Sequence, residues 1–167
     1  MEPEQLLIRK AQETDLPVLA QFAVALSQLH QGFDAQRFVT DFHDNAGLIA
    51  YFCRELENNH SAILLADLAQ RPVGYAFIRM EPGSLVDLRR PCAWFHDLYV
   101  DAQARGHGVG RRLVEAAIAV ARDFGSDGLM LSVAPQNAPA RSLFERMGLR
   151  ATMIEMRMEL IDPSTPR

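Results

Sequence analysis

The chain is expected to fold as an α/β domain, a mixed sheet with helices on both faces. Three observations predict it. The apolar period changes from helical to strand-like at about residue 60. Two strand patterns, His60–Leu68 and Val73–Met80, flank a turn signal at Gln70-Arg71-Pro72 and read as an antiparallel hairpin. Strand, helix, strand, helix and strand patterns then alternate to the end, which calls for crossover connections and a parallel pairing.

The elements follow in order. Gln5–Lys10 alternates Leu6 and Ile8 with polar neighbours, as a short strand does. Thr14-Asp15 offers an N-cap and Pro17 fits a first helical turn. Leu16, Leu19, Ala20, Ala23, Leu26 and Leu29 then recur at helical spacing to about Gln31, and Gly32 ends the run. Residues 33–43 fit neither period. Asp44 or Asn45 starts a second helix through Leu48, Ile49, Phe52 and Leu56, ending near Asn58-Asn59. After the hairpin, Glu81-Pro82-Gly83-Ser84 breaks the pattern and a loop runs to Pro91. Ala93–Val100 is the next strand. Val109, Leu113, Ala116, Ala117, Val120 and Phe124 share one helical face, and Gly125 ends that helix. Leu129–Val133 is apolar on both faces, as a parallel-sheet interior requires. Pro139–Met147 is a short helix closed by Gly148. Met153–Leu160 alternates and predicts a last strand, giving the order β-α-α-β-β-β-α-β-α-β. One domain is expected over residues 1–161, with 162–167 as a tail.

Bulk properties narrow the class. The 167 residues are 49% hydrophobic and 23% charged, as in a soluble globular domain with a sizeable core. No apolar run approaches membrane-spanning length, and no basic segment with an apolar run opens the chain. The net charge of −4 disfavours a nucleic-acid partner. Cys53 and Cys92 form neither a disulfide framework nor a metal cluster, so a reducing cytoplasm is the expected setting. His30, His43 and His60 lack metal-like spacing with carboxylates, and no metal is expected. Trp94 and Phe95 read as core, and Cys92 as a buried structural cysteine.

The densest signal is Arg105-Gly106-His107-Gly108-Val109-Gly110, between a strand and an amphipathic helix. Glycines admit positive φ and close approach of an anion, and successive N–H groups at a helix N-terminus attract phosphate. This is a pyrophosphate site by its chemistry. It is not a P-loop, because Arg111 and Arg112 stand where Lys-Ser/Thr is needed. It is not the dinucleotide fingerprint, whose third glycine is here Arg111.

The pattern Arg-x-x-Gly-x-Gly over 105–110 resembles the acyl-coenzyme-A loop of the GNAT superfamily of N-acetyltransferases. A second stretch, Asn137-x-x-Ala140-x-x-Leu143-Phe144-x-x-x-Gly148-Leu149, is similar to another signature of that family. The resemblance spans nearly the whole chain and is most specific from about Ala93 to Leu149. It implies the family's mixed-sheet fold and acetyl-CoA as co-substrate. By the same resemblance, Leu98, Tyr99 and Val100 supply backbone contacts to the pantetheine arm, and an N–H near Leu98 polarises the thioester carbonyl. Arg105, Gly106, His107, Gly108, Val109, Gly110 and Arg111 wrap the pyrophosphate. Asn137 reaches the cofactor or a neighbouring backbone group, with a helix N-cap as the competing role. Ala140 leaves room for the arm.

Two positions depart from the family pattern. Phe144 stands where many relatives have a tyrosine proposed to protonate the thiolate; water or Tyr99 would have to substitute. His96, followed by Asp97, stands where many relatives have a glutamate. A histidine suits proton acceptance from an amine near neutrality. Strand alternation puts His96 and Asp97 on opposite faces unless a bulge re-aims one. Phe33, Phe38, Phe42, Tyr51 and Phe52 either shape an acceptor cleft or pack the core. The activity implied is transfer of acetyl to a primary amine, of a small molecule or a protein, by direct attack in a ternary complex. Alternatives are a different acyl-CoA donor and a non-catalytic acyl-CoA-binding module. A homodimer is frequent in the family, but no sequence feature specifies an interface.

Overall fold

Apolar residues alternating between two faces build the centre of a five-stranded sheet. A computed structural model describes residues 6–38 and 44–160. The strands are β1 (Leu6–Lys10), β2 (Ser61–Leu68), β3 (Arg71–Glu81), β4 (Cys92–Val100) and β5 (Leu129–Met130). Their spatial order is β1-β2-β3-β4-β5; the first four pair antiparallel and β5 pairs parallel to β4. Helices α1 (Leu16–Phe33) and α2 (Asn45–Glu57) cover one face, and α3 (Val109–Asp123) and α4 (Ala138–Arg146) the other. On β3, Tyr75 and Phe77 pack with Leu19, Phe22 and Phe52 under α1 and α2. Ala76 and Ile78, pointing the opposite way, pack with Phe95, Val109, Leu113 and Phe144 under α3 and α4. The mixed α/β architecture is therefore as the sequence predicts.

Several boundaries differ. Helix α1 runs through Gly32 to Phe33. The hairpin turn is Ala69-Gln70, with φ of 48° and 60°, the geometry that joins twisted strands in two residues. Pro72 lies inside β3 instead, at a register shift where Asp67 faces Pro72 and Ala66 faces Gly74. A bulge tolerates a residue that cannot donate to the ladder.

The parallel strand expected over Leu129–Val133 is only Leu129–Met130, and Leu131 and Val133 are half-buried. The last strand expected over Met153–Leu160 does not form; that segment is exposed and belongs to no ladder among the described residues. Alternation specifies two faces but no partner, and β5 is too short to template another strand. Gln5, Phe42, His43 and the tail fall outside the described residues.

The sheet's far edge carries a buried charge cluster. Arg9 Nε donates to Asp67 at 2.6 Å, and its Nη1 donates to Asp15 at 2.7 Å. Asp15 also accepts the Gln12 N–H at 2.8 Å, closing the turn before α1. The bond from Arg9 holds the Asp15 carboxyl below the usual range, against the effect of burial. The stabilisation is present above the unfolded carboxyl pKa of about 3.9 and is lost as pH falls through the lower folded value. Arg9→Met, which strands two buried carboxylates, is expected to cost about 2–4 kcal/mol in urea unfolding at neutral pH, and less below pH ~4. An equal cost at all pH values would contradict this linkage.

Candidate active site

The middle of β4 contains one residue too many. Phe77 faces Asp97 and Ile78 faces Phe95, so His96 is the extra residue of a β-bulge. Its ring stacks on Phe77 at 5.1 Å, on the face covered by α1 and α2. Asp97 is on the same face, where it accepts the buried Tyr75 hydroxyl at 2.9 Å. The bulge thus cancels the alternation that would otherwise separate His96 from Asp97. Toward the strand's end, a Cβ on Gly74 would lie 2.5 Å from the Tyr99 carbonyl oxygen, so β3 and β4 meet closely only because glycine stands there.

His96 belongs to a polar relay across the sheet. Its Nε2 lies 2.8 Å from Glu81 Oε1, which also receives Arg79 Nη2 at 2.6 Å. Arg79 Nη1 donates to Glu55 of α2 at 2.9 Å. Burial pushes the Glu81 carboxyl up, but its bonds from Arg79 and His96 outweigh this and hold it below the usual carboxylate range. An ionised carboxylate only accepts, so Nε2 carries the proton in neutral His96 and Nδ1 keeps its lone pair. Tyr51 borders the same face, packed edge-on against Phe77; burial and then the charge of Glu55 raise its hydroxyl to about 12. Burial, followed by Asp97, raises Tyr75 well above its ordinary value. Both phenols stay protonated at neutral pH.

The other side of β4 is open. Its parallel ladder with β5 consists of Ala93–Leu129 and Trp94–Met130 alone, while β4 continues six residues further to Val100. Ser126 fastens the paired end, accepting the Ala93 N–H at 2.8 Å and donating to Gly128 at 2.7 Å. Leu98, Tyr99 and Val100 therefore lie beyond the last β4–β5 pair of the described sheet. The glycine loop follows a short turn at Ala102–Ala104. Gly106 and Gly108 have φ of 82° and 78°, and Gly108 caps the start of α3. Gly110 packs against Leu143 of α4 and Val100 of β4. Arg105 Nε donates to the Val100 carbonyl at 3.0 Å, tying the loop to the strand. Arg111 is paired with Glu115 at 2.8 Å, and His107 Nδ1 lies 3.0 Å from the Arg105 carbonyl.

The remaining predicted residues take mixed roles. Asn137 caps α4, its Oδ1 accepting the Ala140 N–H at 3.3 Å. Phe144 is buried and meets Phe95 edge-on at 6.2 Å, in the core beneath α3 and α4. Tyr99 faces the other way, against Phe22 at 5.2 Å. Val109 is core, and Ala140 is half-buried against the same cluster. Phe52 is core and Phe95 is core, whereas Trp94 is only half-buried, under the Arg89 guanidinium at 5.3 Å. Glu81, Arg79 and Glu55 were not singled out by sequence reasoning. The alternation of Phe77, Arg79 and Glu81 on β3 was the signal that places them beside His96.

Comparison with known proteins matches this architecture. The sequence model of the acetyltransferase (GNAT) family covers residues 25–149. The chain is 32% identical over 142 residues to Uncharacterized N-acetyltransferase YhfO of Bacillus subtilis, spanning 84% of this chain and 87% of that protein. It is 35% identical over 77 residues to N-alpha-acetyltransferase 30 of Saccharomyces cerevisiae, 46% of this chain and 42% of that protein. Among solved structures, a mutant of the BH1408 protein from Bacillus halodurans superposes with a TM-score of 0.78 at 23% identity, over 93% of this chain and 99% of that one. Aminoglycoside N-acetyltransferase AAC(6')-Iy in complex with CoA gives 0.73 at 16% identity, over 95% and 96%. These last two likenesses concern the fold. The family match and the relative from Bacillus subtilis establish the lineage: the chain belongs to the GNAT family and is an acetyltransferase.

Proposed function

We propose that the protein transfers acetyl from acetyl-CoA to a primary amine, by direct attack while both are bound. The observation that carries this reading is the early end of the β4–β5 ladder, at Trp94–Met130, above a loop whose glycines take positive φ. An unpaired strand edge offers N–H and C=O groups to an extended amide-bearing arm. The loop N–H groups at the start of α3 suit the diphosphate at one end of that arm. AAC(6')-Iy and a predicted acetyltransferase from Clostridium acetobutylicum, both of this fold, are solved with CoA and acetyl-CoA. Acetyl-CoA supplies an activated carbonyl; the new C–N bond forms as the C–S bond breaks and the thiol leaves.

The protein's part is orientation and proton handling. Leu98, Tyr99 and Val100 hold the arm through their backbone, and the stretch from Arg105 to Arg111 holds the diphosphate. Asn137 acts through the start of α4, which its cap fixes beside Ala140 and Leu143. His96 is the base: Glu81 fixes Nε2 as the protonated nitrogen, leaving Nδ1 to take a proton from the amine directly or through water. Arg79 and Glu55 hold Glu81 in place. Asp97 adds a carboxylate to the same face, which suits a cationic acceptor. Phe144 has no proton to give, and a thiolate near pKa ~8.5 leaves without a dedicated acid. The acceptor is an amine of a small molecule or of a protein; one sequence relative is named an N-alpha-acetyltransferase and one protein of the same fold an aminoglycoside N-acetyltransferase.

Release of thiol from acetyl-CoA is expected with at least one member of a panel of aminoglycosides, polyamines, amino acids and peptides. CoA binding without release across that panel would contradict the reading. Gly108→Asp, which strains a φ of 78° and adds negative charge, is expected to weaken CoA binding by at least a hundredfold in calorimetry, about 3 kcal/mol; unchanged affinity would remove the loop from the site. His96→Ala is expected to lower kcat about a hundredfold with the KM for acetyl-CoA nearly unchanged. Glu81→Gln is expected to lower kcat about tenfold, again without a KM change. Wild-type kcat in both variants would dismiss the histidine as base.

A further inference from the structure

Residues 82–91 join β3 to β4 as a loop that holds an apolar tip in water. Leu85, Val86 and Leu88 are 92–95% exposed, and none of them belongs to either core cluster. The loop is nonetheless a built structure. Ser84 and Arg89 exchange backbone hydrogen bonds of 2.8 and 2.9 Å, and the Ser84 hydroxyl accepts the Asp87 N–H at 3.1 Å. Leu88 takes a φ of 51°, a left-handed conformation that leucine rarely adopts. Arg89 fixes the base of the loop, its Nη1 donating to Cys92 Sγ at 3.2 Å. At roughly 100 Å² each, the three apolar side chains expose about 300 Å², a size that on a monomer often marks a binding site.

The loop adjoins the candidate reacting centre. Trp94 and His96 lie on one face of β4, their ring centroids 6.4 Å apart. The Arg89 guanidinium covers the Trp94 ring at 5.3 Å. Arg89 therefore stands at most about 12 Å from the imidazole, within reach of about four extended residues. Half-buried Trp94 forms the floor between the two.

We infer that the acceptor amine belongs to a polypeptide, whose apolar side chains a few residues beyond that amine dock on Leu85, Val86 and Leu88. The inference rests on the acetyltransferase reading with His96 at the reacting centre, and it narrows the acceptor. An extended chain that starts at His96 crosses Trp94 and meets the tip with about its third to fifth residues. Charge chooses between this occupant and others. Arg89 and exposed Arg90 stand at the base of the tip. A small polycation gains nothing from apolar side chains and is repelled by two guanidinium groups. A bilayer would have to take in Asp87, a carboxylate in the middle of the tip. A peptide can lay apolar side chains on the tip and set an acidic one against Arg90.

Trp94 is the chain's single tryptophan, so its fluorescence reports on this path without catalysis. The C-terminally amidated peptide Ser-Gly-Leu-Ile-Leu-Glu is expected to change that emission saturably below millimolar concentration. Ser-Gly-Ser-Ser-Ser-Glu is expected to bind at least tenfold more weakly. Leu85→Ser combined with Val86→Ser and Leu88→Ser is expected to abolish that difference, since both changes delete the same contact. Arg90→Glu is expected to weaken the apolar peptide about threefold. Should the triple variant fail to fold, the two peptides compared on the native protein still decide. Equal binding of the two peptides overturns the proposal. No emission change with either, while small amines are acetylated, overturns it too and leaves the acetyltransferase reading standing. Binding to phosphatidylglycerol vesicles in place of the apolar peptide also overturns it. Peptide binding with thiol released by no amine sinks the acetyltransferase reading, and the peptide's role as acceptor with it.

Discussion

β4 is bonded to β3 along its whole length and to β5 over two residue pairs, and the candidate site depends on that asymmetry. Ser126 closes the joined end, while Gly74 lets β3 draw close to β4 at the other. Between these fixed points the strand presents an open edge on the β5 side. It delivers the chain to Arg105, whose guanidinium returns to the strand's last carbonyl. The edge and the loop are therefore tied by a side-chain hydrogen bond. A preformed edge lowers the cost of ordering a long, flexible ligand such as the proposed acyl carrier.

The second constraint is the bulge at His96. A regular β4 would keep His96 opposite Phe95 and send Asp97 into the α3/α4 core, where Phe95 and Phe144 pack. The extra residue holds Asp97 on the face of His96, whose ring lies on Phe77 and within reach of Glu81. A carboxylate held ionised by a guanidinium then sets the tautomer of the imidazole. The proposed chemistry thus rests on a backbone irregularity and on a β3 carboxylate, not on adjacent residues of one motif. In that proposal the cofactor lies along the edge of β4 and the acceptor above the bulge.

Much of this was legible in the residues. The glycine loop, the amphipathic α3 and the capped α4 carry strong local signals, because φ, periodicity and capping are properties of neighbouring residues. The hairpin was legible as a pair of strands, yet its turn was misplaced: Pro72 reads as a turn residue, and only the pairing reveals that a bulge shelters it. The bulge at His96 was foreseen as a condition and could not be located, since one extra residue leaves no local mark. Glu81 was missed because its role is set by a neighbour fifteen residues away on the adjacent strand. Met153–Leu160 reads as a strand for a sound reason, its alternation, but alternation does not name a partner.

The measurement closest to the central claim is a map of backbone amide resonances as CoA is titrated into the labelled protein. Selective perturbation of the N–H groups of 98–100 and 106–110 is the predicted result, since these are the groups that the open edge and the glycine loop offer. Saturable binding that left both stretches unmoved and shifted amides elsewhere would contradict it.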